Sequence, residues 1–371
     1  MLKLIVSSSS VMFTTDELRL RAKALGFDLC GIAPATALPE LTRLREWLDA
    51  GYAGEMIYLH KSAEPRADIR NFLSSARSVI VTGTVYYTDH RRVEGEGVGS
   101  VTPSDAVEIA RYAWGDDYHI VLAERLDALV AWLRDQSETP FEAKIFVDKH
   151  HVQERVFAKY AGLGWIGKNT CIINPELGSW LFLAGAAVSL ELPVDVPALD
   201  QCGECTLCLD SCPTGALVDP YVMDATKCIS YLTIELNDCI PAHQRGSVGN
   251  HVFGCDICQD VCPWNLAPLG TSDEAWTARA GRATPRAAEL WQRSDQQLHA
   301  LVDRSAMRRT SLSRLRRNLA VTLGNSGDPR MAEVLDRAGG GVPRAAPSAH
   351  TALVTEHVEW AKEKLSQSTA D

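Results

Sequence analysis

Seven of the eleven cysteines in this 371-residue chain fall in two tight runs whose spacing could hold iron. The first is Cys202-Gly-Glu-Cys205-Thr-Leu-Cys208-Leu-Asp-Ser-Cys212-Pro213, and the second is Cys255-Asp-Ile-Cys258-Gln-Asp-Val-Cys262-Pro263. Three thiolates two residues apart wrap one face of a cubane cluster. A fourth, set off by three residues and followed by Pro, serves the other cluster of a pair. By that spacing Cys202, Cys205 and Cys208 share one [4Fe–4S] cluster with Cys262, while Cys255 and Cys258 share a second with Cys212. The second set is one ligand short. Cys228, sixteen residues past Cys212, is the nearest candidate and Cys239 its competitor.

Other uses of these thiols fit less well. A chain without a secretory signal meets a reducing cytosol, where disulfides do not persist. Zinc takes two cysteine pairs separated by a longer loop, not three close cysteines and a Cys-Pro. Cys30 and Cys171 stand alone among apolar neighbours, as small buried hydrophobes do.

The length predicts two or three domains, and 46% hydrophobic residues suffice for real cores. The longest apolar stretch, Trp180 to Leu190, is too short to span a bilayer, so no membrane association is expected. The N-terminal stretch reads as a ragged leader with no cleavage site and no twin-Arg signal, which points to the cytoplasm. The net charge of −10 conceals an asymmetry: between Thr277 and Arg330 eleven Arg face four acidic residues. Such a segment is a candidate phosphate-binding face.

The first two hundred residues alternate helix and strand signals. Thr15 is expected to cap a helix that Gly26 stops, followed by a short strand from Phe27 to Ala33. Leu38 to Ala50 is a second helix, and Ser78 to Tyr87, rich in Val, Ile, Thr and Tyr, a buried strand. Apolar residues at helical spacing mark 116–136, and Ala143 to Val147 is a strand ended by Asp148. These elements predict an α/β unit with its sheet between helices. Gly162-Leu-Gly164-Trp-Ile-Gly167 matches a dinucleotide-binding fingerprint, but a helix precedes it and a strand follows, the reverse of what that fingerprint needs. Residues 296–338 are expected to be helical, 339–348 a loop, and Thr351 to Leu365 a last amphipathic helix.

Taken together, six stretches resemble the epoxyqueuosine reductases: Arg111-Tyr-Ala-Trp-Gly-Asp-Asp-Tyr-His119, Val147-Asp148, Ala161-Gly-Leu-Gly-Trp-Ile-Gly-Lys-Asn169, Cys212-Pro-Thr-Gly-Ala-Leu217, Cys228-Ile-Ser-Tyr-Leu-Thr233 and Phe253-Gly-Cys-Asp-Ile-Cys-Gln259. The resemblance runs from about Asp16 to Leu335. It implies a nitroreductase-like α/β cobalamin domain (1–200), a ferredoxin-like domain with two [4Fe–4S] clusters (201–268) and a helical HEAT-like segment (269–371) with an Arg-rich tRNA-binding face. In that family the Cys preceding Ile-Ser is a cluster ligand, which favours Cys228 over Cys239. No Asp-x-His-x-x-Gly loop is present, so the similarity implies cobalamin bound base-off. Some relatives carry Cys where this chain has Ala110, so a thiol there is not required.

The reaction implied is reduction of epoxyqueuosine to queuosine in tRNA, with cobalamin as the reacting cofactor. Removing an epoxide oxygen as water takes two electrons and two protons. Asp148 matches the family's proton donor. It is expected to have its pKa raised by burial so that it stays protonated near neutral pH. Arg66, Asp148, Ile172, Leu183 and Ser230 match positions that line cobalamin. His150 and His151 are adjacent and diverge, which suits surface or groove residues better than ligands. The anticodon arm of the tRNA is expected to meet Arg308, Arg309, Arg316 and Arg317. The protein is expected to act as a monomer supplied by an external electron donor. Two alternatives are a reductive dehalogenase-like enzyme acting on a small molecule and an iron–sulfur electron-transfer subunit. The dehalogenases usually carry the twin-Arg signal, and a carrier has no need of two hundred α/β residues ahead of its clusters.

Overall fold

The computed structural model describes residues 13–88, 104–283, 285–337 and 349–367. The leader and the loop 339–348 lie outside the described residues. Ser78–Val85 carries β-branched residues at six of its eight positions and is buried along its whole length, as a central strand requires. It pairs antiparallel with Leu29–Pro34 on one side and Leu181–Val188 on the other, and Ala143–Phe146 completes the sheet beyond Leu181–Val188. Leu18 and Ala22 of helix Thr15–Ala24 and Leu122, Leu126 and Leu129 of helix Tyr118–Asp135 cover one face. Val156, Phe157 and Ala158 of helix Glu154–Tyr160 cover the other. The sheet therefore lies between helices, as the alternating pattern predicts.

Local signals set the element ends. Thr14, one residue before the expected cap, closes a capping box with Glu17, and Gly26 takes a φ of 89° beyond the helix C-terminus. The run at 162–167 is not a phosphate loop. It leaves helix Glu154–Tyr160 and enters a hairpin of Trp165–Ile166 with Ile172–Ile173. A Cβ on Gly164 would stand 2.3 Å from the Ile173 carbonyl, so glycine is needed there for close backbone approach.

The C-terminal helices do not form a separate core. Leu315, Leu319 and Leu323 of helix Leu312–Asn325 pack with Val107, Trp114, Ile234 and Phe253 from earlier segments. Helix Ala349–Gln367 then lies against Leu312–Asn325. This docking corrects the picture of a continuous Arg-rich face. Arg316 and Arg317 are 3% and 0% exposed. Arg317 donates to the carbonyls of Leu232, Leu236 and Asp238, and Arg316 to those of Trp291 and Arg293 and to Asp295. Their guanidinium groups are tied to carbonyls left at element ends, where five fixed donors serve several acceptors at once. No helix among the described residues is long and apolar enough to cross a membrane.

Candidate functional site

The eight proposed ligands gather as two fours. Cys262 and Cys208 lie within electrostatic reach of Cys202, and Cys262 also of Cys205. Cys255 faces Cys228 and Cys212, and Cys258 faces Cys255 and Cys228. Cys239 turns away, and its thiol donates to Glu356 of the last helix at 2.6 Å. Burial pushes the Cys208 thiol up to about 11 and Cys228, Cys255 and Cys262 upward as well, with neighbouring cysteines adding to each shift. Four thiolates held this close need positive charge at their centre. Sulfur acceptors are already served, by Trp165 Nε1 on Cys202 at 3.4 Å and by the Ala216 N–H on Cys212 at 3.3 Å. Among the described residues no three His, Cys, Asp or Glu side chains converge as on a single ion. Ligands of a cubane each bind a separate iron and stand further apart, so the donor sets suit clusters rather than zinc.

Beside the second set opens a cleft of about 980 Å³, near the upper limit of small-molecule pockets. Its walls include Leu59, Ile166, Ile172, Phe182 and Leu183, and its polar groups include Arg66, Asp148, Glu154 and Arg155. Arg66 is fixed by bonds to Ser62 Oγ and the Val152 carbonyl, both 3.0 Å. Four of the five residues matched to cobalamin thus line one cavity. Ser230 does not line it, and its side chain and N–H bond the Cys228 thiol instead. Cys171 links the two regions, since it lines the cleft and hydrogen-bonds Cys258. A molecule held against these apolar walls would stand one side chain away from Cys258 of the second set.

Asp148 follows strand Ala143–Phe146 and carries a φ of 48°, a left-handed conformation that Asp tolerates better than most residues. The turn is held by the Val147 N–H on His150 Nδ1 at 3.1 Å and the Asp148 N–H on Glu154 Oε1 at 2.5 Å. His150 therefore locks the backbone, while His151 is exposed. The Asp148 Oδ2 accepts from the Tyr118 hydroxyl at 3.0 Å and faces His119 Nε2 at 3.2 Å. His119 Nδ1 in turn faces Asp117 Oδ1 at 2.6 Å. Asp117 caps the helix that carries both rings, and Tyr118 is sandwiched between His119 and Phe182.

The electrostatics reverse the expectation for Asp148. Burial pushes its carboxyl up, but the hydrogen bonds from His119 and Tyr118 and the charges of His119 and Arg309 hold it below the ordinary carboxylate value. Burial lowers His119, yet its two carboxylate partners raise it overall, so the imidazole favours the doubly protonated form between them. The acid that burial does raise is Glu154, to about 8, with the Asp148 charge adding to the shift. Sequence inspection missed Tyr118, His119 and Glu154. The first two end the Arg111–His119 stretch, so the signal was present without a role attached; nothing marked Glu154.

Arg309 brings the C-terminal segment to the cleft mouth. It pairs with Glu235 at 2.8 Å and stands 5.3 Å over the Tyr58 ring. The neighbouring Arg304 carbonyl accepts from the Asp117 N–H at 2.9 Å.

Residues 201–265 match a family described as "4Fe-4S double cluster binding domain". Residues 66–149 match one described as "Epoxyqueuosine reductase QueG, DUF1730". The epoxyqueuosine reductase of Pseudomonas aeruginosa is 40% identical over 344 residues, covering 91% of this chain and 91% of that protein. A crystal structure of an epoxyqueuosine reductase with an epoxyqueuosine-modified tRNA-Tyr stem loop superposes with a TM-score of 0.78 at 28% identity, over 94% of this chain and 98% of its own. The Bacillus subtilis epoxyqueuosine reductase, solved with its catalytic aspartate loop swung out of the active site, gives 0.78 at 27% identity over 93% and 98%. With identity of this order over nine-tenths of both chains, the double-cluster domain and the matching fold, the chain belongs to the epoxyqueuosine reductases, a family of oxidoreductases.

Proposed function

We propose that this chain reduces epoxyqueuosine to queuosine in tRNA, with cobalamin in the cleft, two [4Fe–4S] clusters beside it and Asp148 as proton donor. The observation that carries this reading is one cleft lined both by Asp148, which His119 contacts, and by Cys171, which hydrogen-bonds Cys258. Cys202, Cys205, Cys208 and Cys262 would hold one cluster and Cys212, Cys228, Cys255 and Cys258 the other. We read 1–200 as nitroreductase-like, 201–268 as ferredoxin-like and 269–371 as HEAT-like. The whole would work as a cytoplasmic monomer drawing on an external donor of single electrons.

Arg66, Ile172 and Leu183 would hold cobalamin, which supplies, when bound, a metal centre able to store reducing equivalents next to the substrate. With cofactor and substrate seated against the apolar walls, water would be displaced from the cleft, so that a proton at Asp148 Oδ2 is delivered to the departing oxygen rather than lost to solvent. His119 holds that proton in the resting pair, Asp117 steadies the imidazolium, and the Tyr118 hydroxyl fixes the orientation of the carboxylate. As negative charge builds on the oxygen, transfer from the pair through Asp148 becomes favourable. Anaerobically reconstituted protein incubated with an epoxyqueuosine-containing stem loop should convert it to queuosine, as read by mass spectrometry of the nucleosides. Fully loaded protein that leaves the epoxide intact would rule the activity out.

The RNA would dock on the segment 304–313, which skirts the cleft. Arg304 and Arg308 are exposed there and have no carboxylate partner among the described residues. Arg308 borders a cavity of about 750 Å³ lined also by Thr310, Ser311 and Ser313 at the start of helix Leu312–Asn325, where backbone N–H groups favour phosphate. Replacing Arg304 and Arg308 by Gln should weaken stem-loop binding and reduce the log–log salt slope by about one per lost phosphate contact. Iron content should not change. Equal slopes in variant and wild type would move the RNA off this face.

A further inference from the structure

Opening an epoxide to an alkene and water consumes two protons, and the Asp148–His119 pair holds one. A second acid lies within reach. Glu154 begins helix Glu154–Tyr160 and lines the cleft, and its Oε1 accepts the Asp148 N–H at 2.5 Å. That bond occupies one oxygen as an acceptor and leaves Oε2 available to carry a proton. The charged and titratable groups facing it are Asp148 from the strand turn, Arg155 from its own helix, Arg66 from the opposite wall and Tyr118 from the long helix. Both arginines have other partners, Arg66 as described and Arg155 at the Thr170 hydroxyl, 3.4 Å away. Neither makes an ion pair with Glu154 among the described residues.

We infer that Glu154 is the neutral carboxylic acid of the resting cleft and supplies the second proton of the reaction by reloading Asp148. This rests on the proposed function. In the step, the Glu154 Oε2–H bond breaks and an O–H bond forms on the Asp148 carboxylate, which then gives that proton to the oxygen leaving as water. Solvent later reprotonates Glu154, and no electrons move in the transfer. Burial, which pushes Glu154 up to about 8, agrees with this assignment, because the acid stays protonated at neutral pH where Asp148 does not. Glu154 is a positioning and reloading residue and does not touch the substrate.

The test is Glu154→Gln, which keeps an oxygen to accept the Asp148 N–H and removes only the acid. Infrared spectra of the cluster-loaded protein, taken without substrate through pH 8, should show a protonated carboxyl band that disappears as pH rises. The same band should be missing from the Gln variant. Single-turnover conversion of the stem loop should fall roughly 10- to 100-fold in the variant, and the part of the alkaline loss of rate that tracks the carboxyl band should be missing. Glu154→Asp should restore part of both signals. A wild type without the titrating band, or a Gln variant with the wild-type rate and alkaline limb, would overturn the assignment. If the wild type shows the band but never converts the epoxide, the proposed function fails while the protonation of Glu154 stands.

Discussion

Asp148→Asn should lower single-turnover conversion of an epoxyqueuosine stem loop by about 10²- to 10⁴-fold, the range spanned by loss of one positioned acid. An amide is similar in size and can still accept from Tyr118, so iron content, cofactor binding and RNA affinity should be retained. Loss of cofactor binding would make Asp148 structural, and a rate near wild type would end its role as donor. The substitution also has a signature in stability. His119 is raised in the folded protein, so its contribution is complete below the ordinary value of 6.5 and is lost as pH rises through the raised one. Asp148 is lowered, so its contribution is present above 3.8 and is lost as pH falls through the lowered value. Unfolding curves of the Asn variant should show both pH dependences weakened together, because the two groups depend on one contact.

Cys228→Ala should reduce iron from about eight to about four per chain after anaerobic reconstitution, since it removes a corner of one four-iron cluster and leaves the other set intact. Cys239→Ala should leave about eight, because that thiol is engaged by Glu356. Iron and sulfide analysis with EPR of the reduced protein reads both results, and the reverse pattern would exchange the two cysteines. Turnover should be lost with the second cluster, because Cys258, the ligand touching the cleft wall through Cys171, belongs to that set. Cys228 also packs against the core formed by Ile229, Leu232, Ile240 and Val248. A thermal scan of the alanine variant should accordingly show a lower midpoint than that of the Cys239 variant.

The arginines show where sequence inspection stops. Eleven Arg against four acids over about fifty residues read as one phosphate-binding face, but the count carries no direction. In helix Leu312–Asn325, Arg317 points inward to carbonyls at 232–238, and Arg316 to those of Trp291 and Arg293, because the helix docks over element ends that need donors. Arg304, in a turn, and Arg308, in the 3-10 turn Ala306–Arg309 just before that helix, remain exposed. Charge composition alone cannot separate a guanidinium that binds RNA from one that fastens two segments together.

What the amino-acid sequence determined by itself was whatever depends on near neighbours. The cysteine spacing of a double-cluster domain, the buried β-branched strand at 78–85, the helix stop at Gly26, and the rejection of a dinucleotide loop at 162–167 all follow from spacing and local backbone preference. Tertiary structure alone decided which acid holds a proton. Asp148 and His119 are 29 residues apart, and only the packing of the long helix against the sheet brings them within 3.2 Å. That contact lowers Asp148, while burial and the Asp148 charge outweigh Arg155 and Arg66 and raise Glu154 six residues later. A carboxyl pKa is set by the charges and water within a few ångströms, and those are fixed by the fold, not by the residue or its sequence neighbours.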